Sequence, residues 1–326
     1  MKTLTDFERI AKKSKQRSRL KTVVISVSIA ILSFGLISKG LTELTSRNGN
    51  HIKDRYLLLS EIAYPNISYS SWYFNPTSNY TGQFHSDRFK SIDGIDVPYE
   101  EMEAFYSIRK FDLTDSSTWI TWSEDGKSAY TRSNYYKSPM FYNIAFDYDT
   151  DSHVTVTNDI SLTEQMTGQA LEMAVTFDKP YTYQEIQKMI PDDLLINWYW
   201  IGSYSDFDTA SRNPDAQLGL SADPEGKLGD YDFDLFRTNL KKANDNGYLD
   251  MTETAVDAND KERTYQLSDD AQAYLDENKD LETAQFSGVV LTGRAENFKE
   301  LKDKKWIFAA NIGQSVQIQP YHHFTK

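Results

Sequence analysis

From Thr22 to Ser38 the chain reads TVVISVSIAILSFGLIS, an uncharged run closed by Lys21 on one side and Lys39 on the other. As a helix this run spans roughly 25 Å at about 1.5 Å per residue. That is short for a hydrocarbon core of about 30 Å, and Lys21 and Lys39 supply the missing length by extending their ammonium groups toward the headgroups. The pattern predicts a transmembrane helix over 22–38. The residues that follow, Lys39-Gly40-Leu41-Thr42, hold no small-x-small cleavage site, so a retained anchor is expected rather than a removed signal peptide. Within the run Ser26, Ala30 and Ser33 fall on one narrow face. Such a face suits close helix packing, although serines that bond back to carbonyls one turn earlier explain it more simply.

The flanks have their own periodicities. Thr5-Asp6-Phe7-Glu8 has capping-box spacing, and Phe7, Ile10 and Ala11 form a short apolar stripe followed by Lys12 and Lys13. Residues 1–21 thus predict a small basic amphipathic helix. It suits docking to a partner or to the inner lipid surface, or serves as a plain topogenic flank. Residues 39–63 carry Leu41, Leu44, Ile52, Tyr56, Leu59 and Ile62 at helical spacing, with a break expected at Asn48-Gly49-Asn50, and predict a helical stalk.

Residues 64–150 change character: Ile67–Phe74, Thr118–Trp122 and Phe141–Tyr148 are aromatic and β-branched runs between turn residues, with Glu124-Asp125-Gly126-Lys127 a hairpin turn. Over 151–326 strands and helices alternate. Leu171, Met173, Val175 and Phe177 mark a half-buried strand, Tyr183–Ile190 a short helix and Leu194–Tyr204 a strand. A second unit repeats the order with Phe286–Thr292, Ala295–Leu301 and Trp306–Asn311. Helices are expected between them at Tyr231–Asn244 and at Ser268–Lys279, the latter capped by Ser268. The whole predicts an α+β protein: one N-terminal transmembrane helix, a strand-rich part, and a mixed sheet with helices.

Charge orients this picture. Residues 1–21 hold eight Lys/Arg against Asp6 and Glu8, whereas residues 39–326 hold 27 basic against 46 acidic side chains, a net of −19. The basic flank places the N-terminus in the cytoplasm and the acidic domain outside. So acidic a domain is repelled by nucleic acid, which is not an expected partner. Cysteine is absent, which removes thiol chemistry and fits a bacterial rather than a disulfide-bonded eukaryotic exterior.

Two stretches resemble a known family. Phe7 to Lys21 (FERIAKKSKQRSRLK), running directly into the apolar helix, is similar to the N-terminal module of the sigma factor regulator family. Gly288 to Gly313 (GVVLTGRAENFKELKDKKWIFAANIG) is similar to the C-terminal domain of the same family, and Ser91 to Pro98 is compatible with the family as well. The resemblance implies a membrane protein of Gram-positive bacteria, similar to anti-sigma factors, with an outer sensing domain. Its implied partners are membrane lipid and a sigma factor or another cytoplasmic or membrane regulator. A tail of 21 residues covers about half of the roughly 800 Å² per partner that a stable interface takes, so direct sigma-factor binding by the tail alone is not expected.

Searches for chemistry return nothing local. The five histidines (His51, His85, His153, His322, His323) stand at no ligand spacing from a nearby carboxylate, and Asp147-Tyr-Asp149-Thr-Asp151 lacks the glycine and terminal glutamate of a calcium loop. No catalytic, cofactor-binding or metal residue is assigned. Acid pairs such as Asp206/Asp208 and Asp230/Asp232/Asp234 are too common in an acidic chain to mark a site. They leave open a type II membrane-anchored cell-envelope hydrolase as the alternative to a non-enzymatic regulator. Trp198 and Trp200 share a strand face and Trp119 and Trp122 lie on an earlier strand; they are expected in the core, or else in a recognition groove.

Overall fold

A computed structural model describes residues 2–111, 113, 120–122, 129–131, 137–149, 155–210, 212–256 and 262–326. No proline precedes Pro65, and helix α1 (Lys2–Ser60) runs without interruption for 59 residues, about 90 Å of continuous helix. Thr5 lies inside this helix rather than at its start, so the expected capping box does not open it. Nor does Asn48-Gly49-Asn50 break it. Asn48 donates from Nδ2 to Ser107 O (2.8 Å) and Ile108 O (3.1 Å). Gly49 is buried where a Cβ would stand 3.1 Å from the Tyr106 ring. The glycine that reads as a break is a close-packing position. The helix ends at Ser60, ahead of the turn in which Tyr64, before Pro65, takes a positive φ of 62°; a proline at 65 also disfavours continuing the α region through Tyr64.

Three antiparallel strands follow: β1 (Ser68–Ser78), β2 (Thr81–Ile92) and β3 (Ile95–Ser107), in the order β1-β2-β3. Asp93 and Gly94, both at positive φ, make the two-residue turn between β2 and β3. The inner face of this meander packs on α1, whose buried positions Thr45, Gly49, Ile52, Tyr56 and Leu59 alternate steps of four and three. Such spacing keeps one seam of a helix facing its neighbour. The helix expected over 39–63 is therefore present, and its inner side belongs to the core. Contact starts at Ser38, whose Oγ lies 3.0 Å from the Tyr80 hydroxyl on the β1–β2 turn.

Strands β4 (Ile120–Trp122) and β5 (Ala129–Thr131) pair antiparallel; the turn expected between them falls outside the described residues. The strand expected at Phe141–Tyr148 does not form. Its backbone finds side chains instead: Tyr142 N donates to Thr176 Oγ1 (3.1 Å) and Asn143 N to the Tyr148 hydroxyl (2.9 Å).

The C-terminal half is built on a five-stranded sheet of β6 (Gln169–Thr182), β7 (Leu195–Trp200), β8 (Gly219–Ser221), β11 (Gln285–Arg294) and β12 (Ile307–Gln317). The order is β12-β6-β11-β7-β8. Helix α2 (Tyr183–Met189), capped by Thr182 and Glu185, connects β6 to β7, and a 3-10 turn (Ala295–Leu301), not the expected α-helix, connects β11 to β12. The two strand-helix-strand units interlock, each lending a strand to the gap in the other, as in ferredoxin-like split units. Every ladder is consequently antiparallel, where a mixed sheet was expected. Between β8 and β11 lie α3 (Asp230–Asp245), the hairpin β9 (Thr252–Val256) and β10 (Glu262–Gln266), and α4 (Leu267–Glu277). Helix α4 starts one residue before Ser268, which does not cap it. Ala170–Phe177 is buried on both faces rather than one, because Phe141 and the β2–β3 end cover the second face.

Candidate functional site

Where the meander meets the sheet, polar side chains are enclosed together. Lys90 on β2 donates to Glu172 on β6, and neither side chain reaches solvent. Glu172 also accepts from Asn66 Nδ2 (2.8 Å) and Gln314 N (2.9 Å). Gly313 permits that approach, since a Cβ there would stand 2.4 Å from Glu172 Oε1. Asn197 Nδ2 reaches Asn66 Oδ1 (3.1 Å) and Ser91 O (2.9 Å), and Thr292 Oγ1 donates to Asn197 Oδ1 (2.6 Å). Burial pushes the Lys90 ammonium below its ordinary pKa, opposed by the charge of Glu172. Lys137 is lowered by burial in the same way, with Asp159, 3.4 Å away, opposing. The result is a dry, hydrogen-bonded clamp between the two halves of the chain.

The turn beside the clamp also holds residues 325 and 326. Asp93 Oδ1 accepts from Thr325 N (3.1 Å) and Lys326 N (2.9 Å). Burial raises the Asp93 carboxyl to about 6, in spite of those two bonds and the charge of Arg294.

Residues 8–97 match the description sigma factor regulator N-terminal, and residues 163–314 match sigma factor regulator C-terminal. The chain belongs to the sigma factor regulator family. Lys90 lies in the first match and Glu172 in the second, so the buried pair joins the family's two modules. No curated protein and no solved structure matches the chain significantly.

The membrane segment of this family member is the exposed first part of α1. An 18-residue window there has a mean hydropathy of 2.2, and none of it is buried. A core helix of that apolarity would be covered; this one is bare, which together with the family makes the chain membrane-anchored. Lys21 and Lys39 are exposed at its two ends. Phe7, Ile10, Ala11, Lys12 and Lys13 are exposed on the same continuous helix, and so are Ser26, Ala30 and Ser33.

Trp198 and Trp200 do share a face, and that face is core: both are buried, with Phe141 stacked on Trp200 at 4.8 Å between centroids. They do not line an open groove. Trp122 is on β4, and Trp119 lies outside the described residues. Several acids noted in the sequence serve local structure. Asp206 pairs with Arg263 at 2.8 Å, Asp208 accepts from Ala210 N, and Asp232 accepts from Gly229 N.

One grouping spans two strands and is invisible to local spacing. On the outer face of the meander His85 Nδ1 lies 2.7 Å from Glu101 Oε1 and 3.7 Å from Glu103 Oε1. The Tyr73 ring stacks on the imidazole at 4.9 Å, and its hydroxyl donates to Glu101 (3.2 Å). The phenol pKa is raised by burial and by the charges of Glu101, Asp87 and Glu103.

Proposed function

We propose that this chain is a non-enzymatic membrane regulator that relays the state of an acidic outer domain to a cytoplasmic partner through α1. The observation that carries the reading is the continuity of that helix. A single rod runs from the basic tail through the apolar segment into the core, where Ile52, Tyr56 and Leu59 are buried. A rod held at one end in packed side chains transmits a shift or rotation of the domain along its axis, because close-packed interfaces change between discrete arrangements rather than deforming gradually.

The basic tail, net +6, faces the cytoplasm on this reading, and the domain of net −19 faces outward. The tail contacts anionic lipid and a sigma factor or a regulator that itself controls one. Its exposed stripe of Phe7, Ile10 and Ala11 beside Lys12 and Lys13 supplies one face of that interface.

Affinity capture from membranes, with and without residues 1–21, tests the relay. Recovery of a sigma factor or a cytoplasmic regulator only when the tail is present supports it. Recovery that does not depend on the tail sinks it. Protease applied to intact cells tests the orientation: the C-terminal domain should be shaved and the tail protected.

A further inference from the structure

We infer that the outer face of the β1–β2–β3 meander holds a binding site for a first-row divalent cation such as zinc, formed by His85, Glu101 and Glu103. The ligand atoms of these three side chains all lie within 4.8 Å of one another. An ion about 2.1 Å from each donor in a tetrahedral site sets the donors about 3.4 Å apart. The Nδ1 distances of 2.7 and 3.7 Å bracket that value, so small rotations of two exposed glutamates suffice. The fourth position is open to water, and an imidazole nitrogen among the donors favours zinc-like ions over calcium or magnesium.

Three further observations set this group apart from an ordinary acidic surface. His85 is on the solvent side of its strand and yet only 6% exposed, pinned beneath Tyr73 with Nδ1 turned to the carboxylates. Its Nε2 is buried and has no hydrogen-bond partner among the described residues, so Nδ1 is the nitrogen that faces the carboxylates. Second, among the described residues no lysine or arginine pairs with Glu101 or Glu103, whereas Asp206, Glu164 and Asp245 each have a cation. Third, the register is altered at this point. Ile92 faces Ile95 and Arg88 faces Tyr99, but beyond a bulge His85 faces Glu103. In unbroken register His85 would face Met102; the bulge swings two acids onto the histidine's side. Bulges re-aim side chains in this way beside functional sites, and strands hold ligands more rigidly than loops do.

The test uses the full chain in detergent micelles, stripped with chelator and titrated with zinc chloride by equilibrium dialysis and metal analysis. One zinc per chain at micromolar concentration is expected. Glu103→Gln and Glu101→Gln, both at exposed positions, should each weaken binding by at least about tenfold while leaving the circular dichroism spectrum and melting curve unchanged. His85→Ala should abolish it, but because His85 is packed under Tyr73 the glutamate variants decide. Substituting His322 and His323 by alanine should have no effect, and millimolar calcium or magnesium should not displace the zinc. Absence of zinc binding would overturn the proposal, as would binding indifferent to both glutamates, binding lost with His322 and His323, or displacement by calcium.

Discussion

Lys90 and Glu172 are 82 positions apart and form an ion pair with no solvent exposure on either side chain. Removing one partner of such a pair leaves a buried charge uncompensated, at a cost of about 3–5 kcal/mol. Lys90→Met should therefore lower the unfolding free energy of the domain by about that amount in a denaturant titration. The double variant Lys90→Met/Glu172→Gln should recover at least half of the loss. Equal losses in the single and double variants would show that the charge pairing is not what holds the modules together.

Asp93 gives a pH dependence with a definite sign. Its folded-state value, about 6, lies above the ordinary 3.8 because burial disfavours the ionised carboxyl. Below both values the two states are protonated alike and the group contributes nothing. Between 3.8 and about 6 the unfolded chain ionises while the folded chain still holds its proton, so stability is lost as pH rises through that window. Asp93→Asn keeps an acceptor for Thr325 N and Lys326 N and suits the turn before Gly94. It should raise stability at pH 7 by roughly 1–2 kcal/mol, discounted for screening. The advantage should vanish near pH 4; melting curves across that range check it.

Gly49 and Tyr106 set how closely α1 approaches β3. A Cβ at position 49 would stand 3.1 Å from the ring, so a branched side chain forces the Tyr106 ring to shift. Gly49→Val should cost about 1–3 kcal/mol by overpacking, against the gain in helix propensity that the same change gives on an exposed face. Unchanged thermal stability would show that the seam is looser than this contact implies.

Gly40 tests the relay itself. It is exposed, and nothing lies within 4 Å of a Cβ placed there. Gly40→Pro breaks the helical ladder at a local cost of about 3 kcal/mol, ahead of the buried seam that starts at Thr45. Domain unfolding should be unaffected, while transcription under control of the partner should lose its response to the outer domain. A retained response would mean that α1 acts only as a tether.

Much of this architecture is written in local pattern. The uncharged run from Thr22 to Ser38 announces the membrane segment, and the alternation at Leu171, Met173, Val175 and Phe177 announces β6. What local pattern misses depends on distant partners. Asn48-Gly49-Asn50 has turn composition, and only the ring of Tyr106 and the carbonyls of Ser107 and Ile108 make it helix. Phe141–Tyr148 has strand composition, yet its backbone is taken up by Thr176 and Tyr148. The His85 group is hidden by its hairpin. Asp93-Gly94 is a readable two-residue turn that sets the pairing of β2 with β3, but the bulge that moves Glu103 opposite His85 has no sequence mark.

The interleaved order β12-β6-β11-β7 also governs when the protein can fold. A growing chain that has produced β6 and β7 holds two apolar strands that are not neighbours in the finished sheet. Both must wait more than eighty residues for β11, and β6 longer still for β12. Loop closure over such distances is slow, so the domain is expected to mature late, after synthesis of this region is complete. Until then its unpaired strand edges are open to wrong pairing.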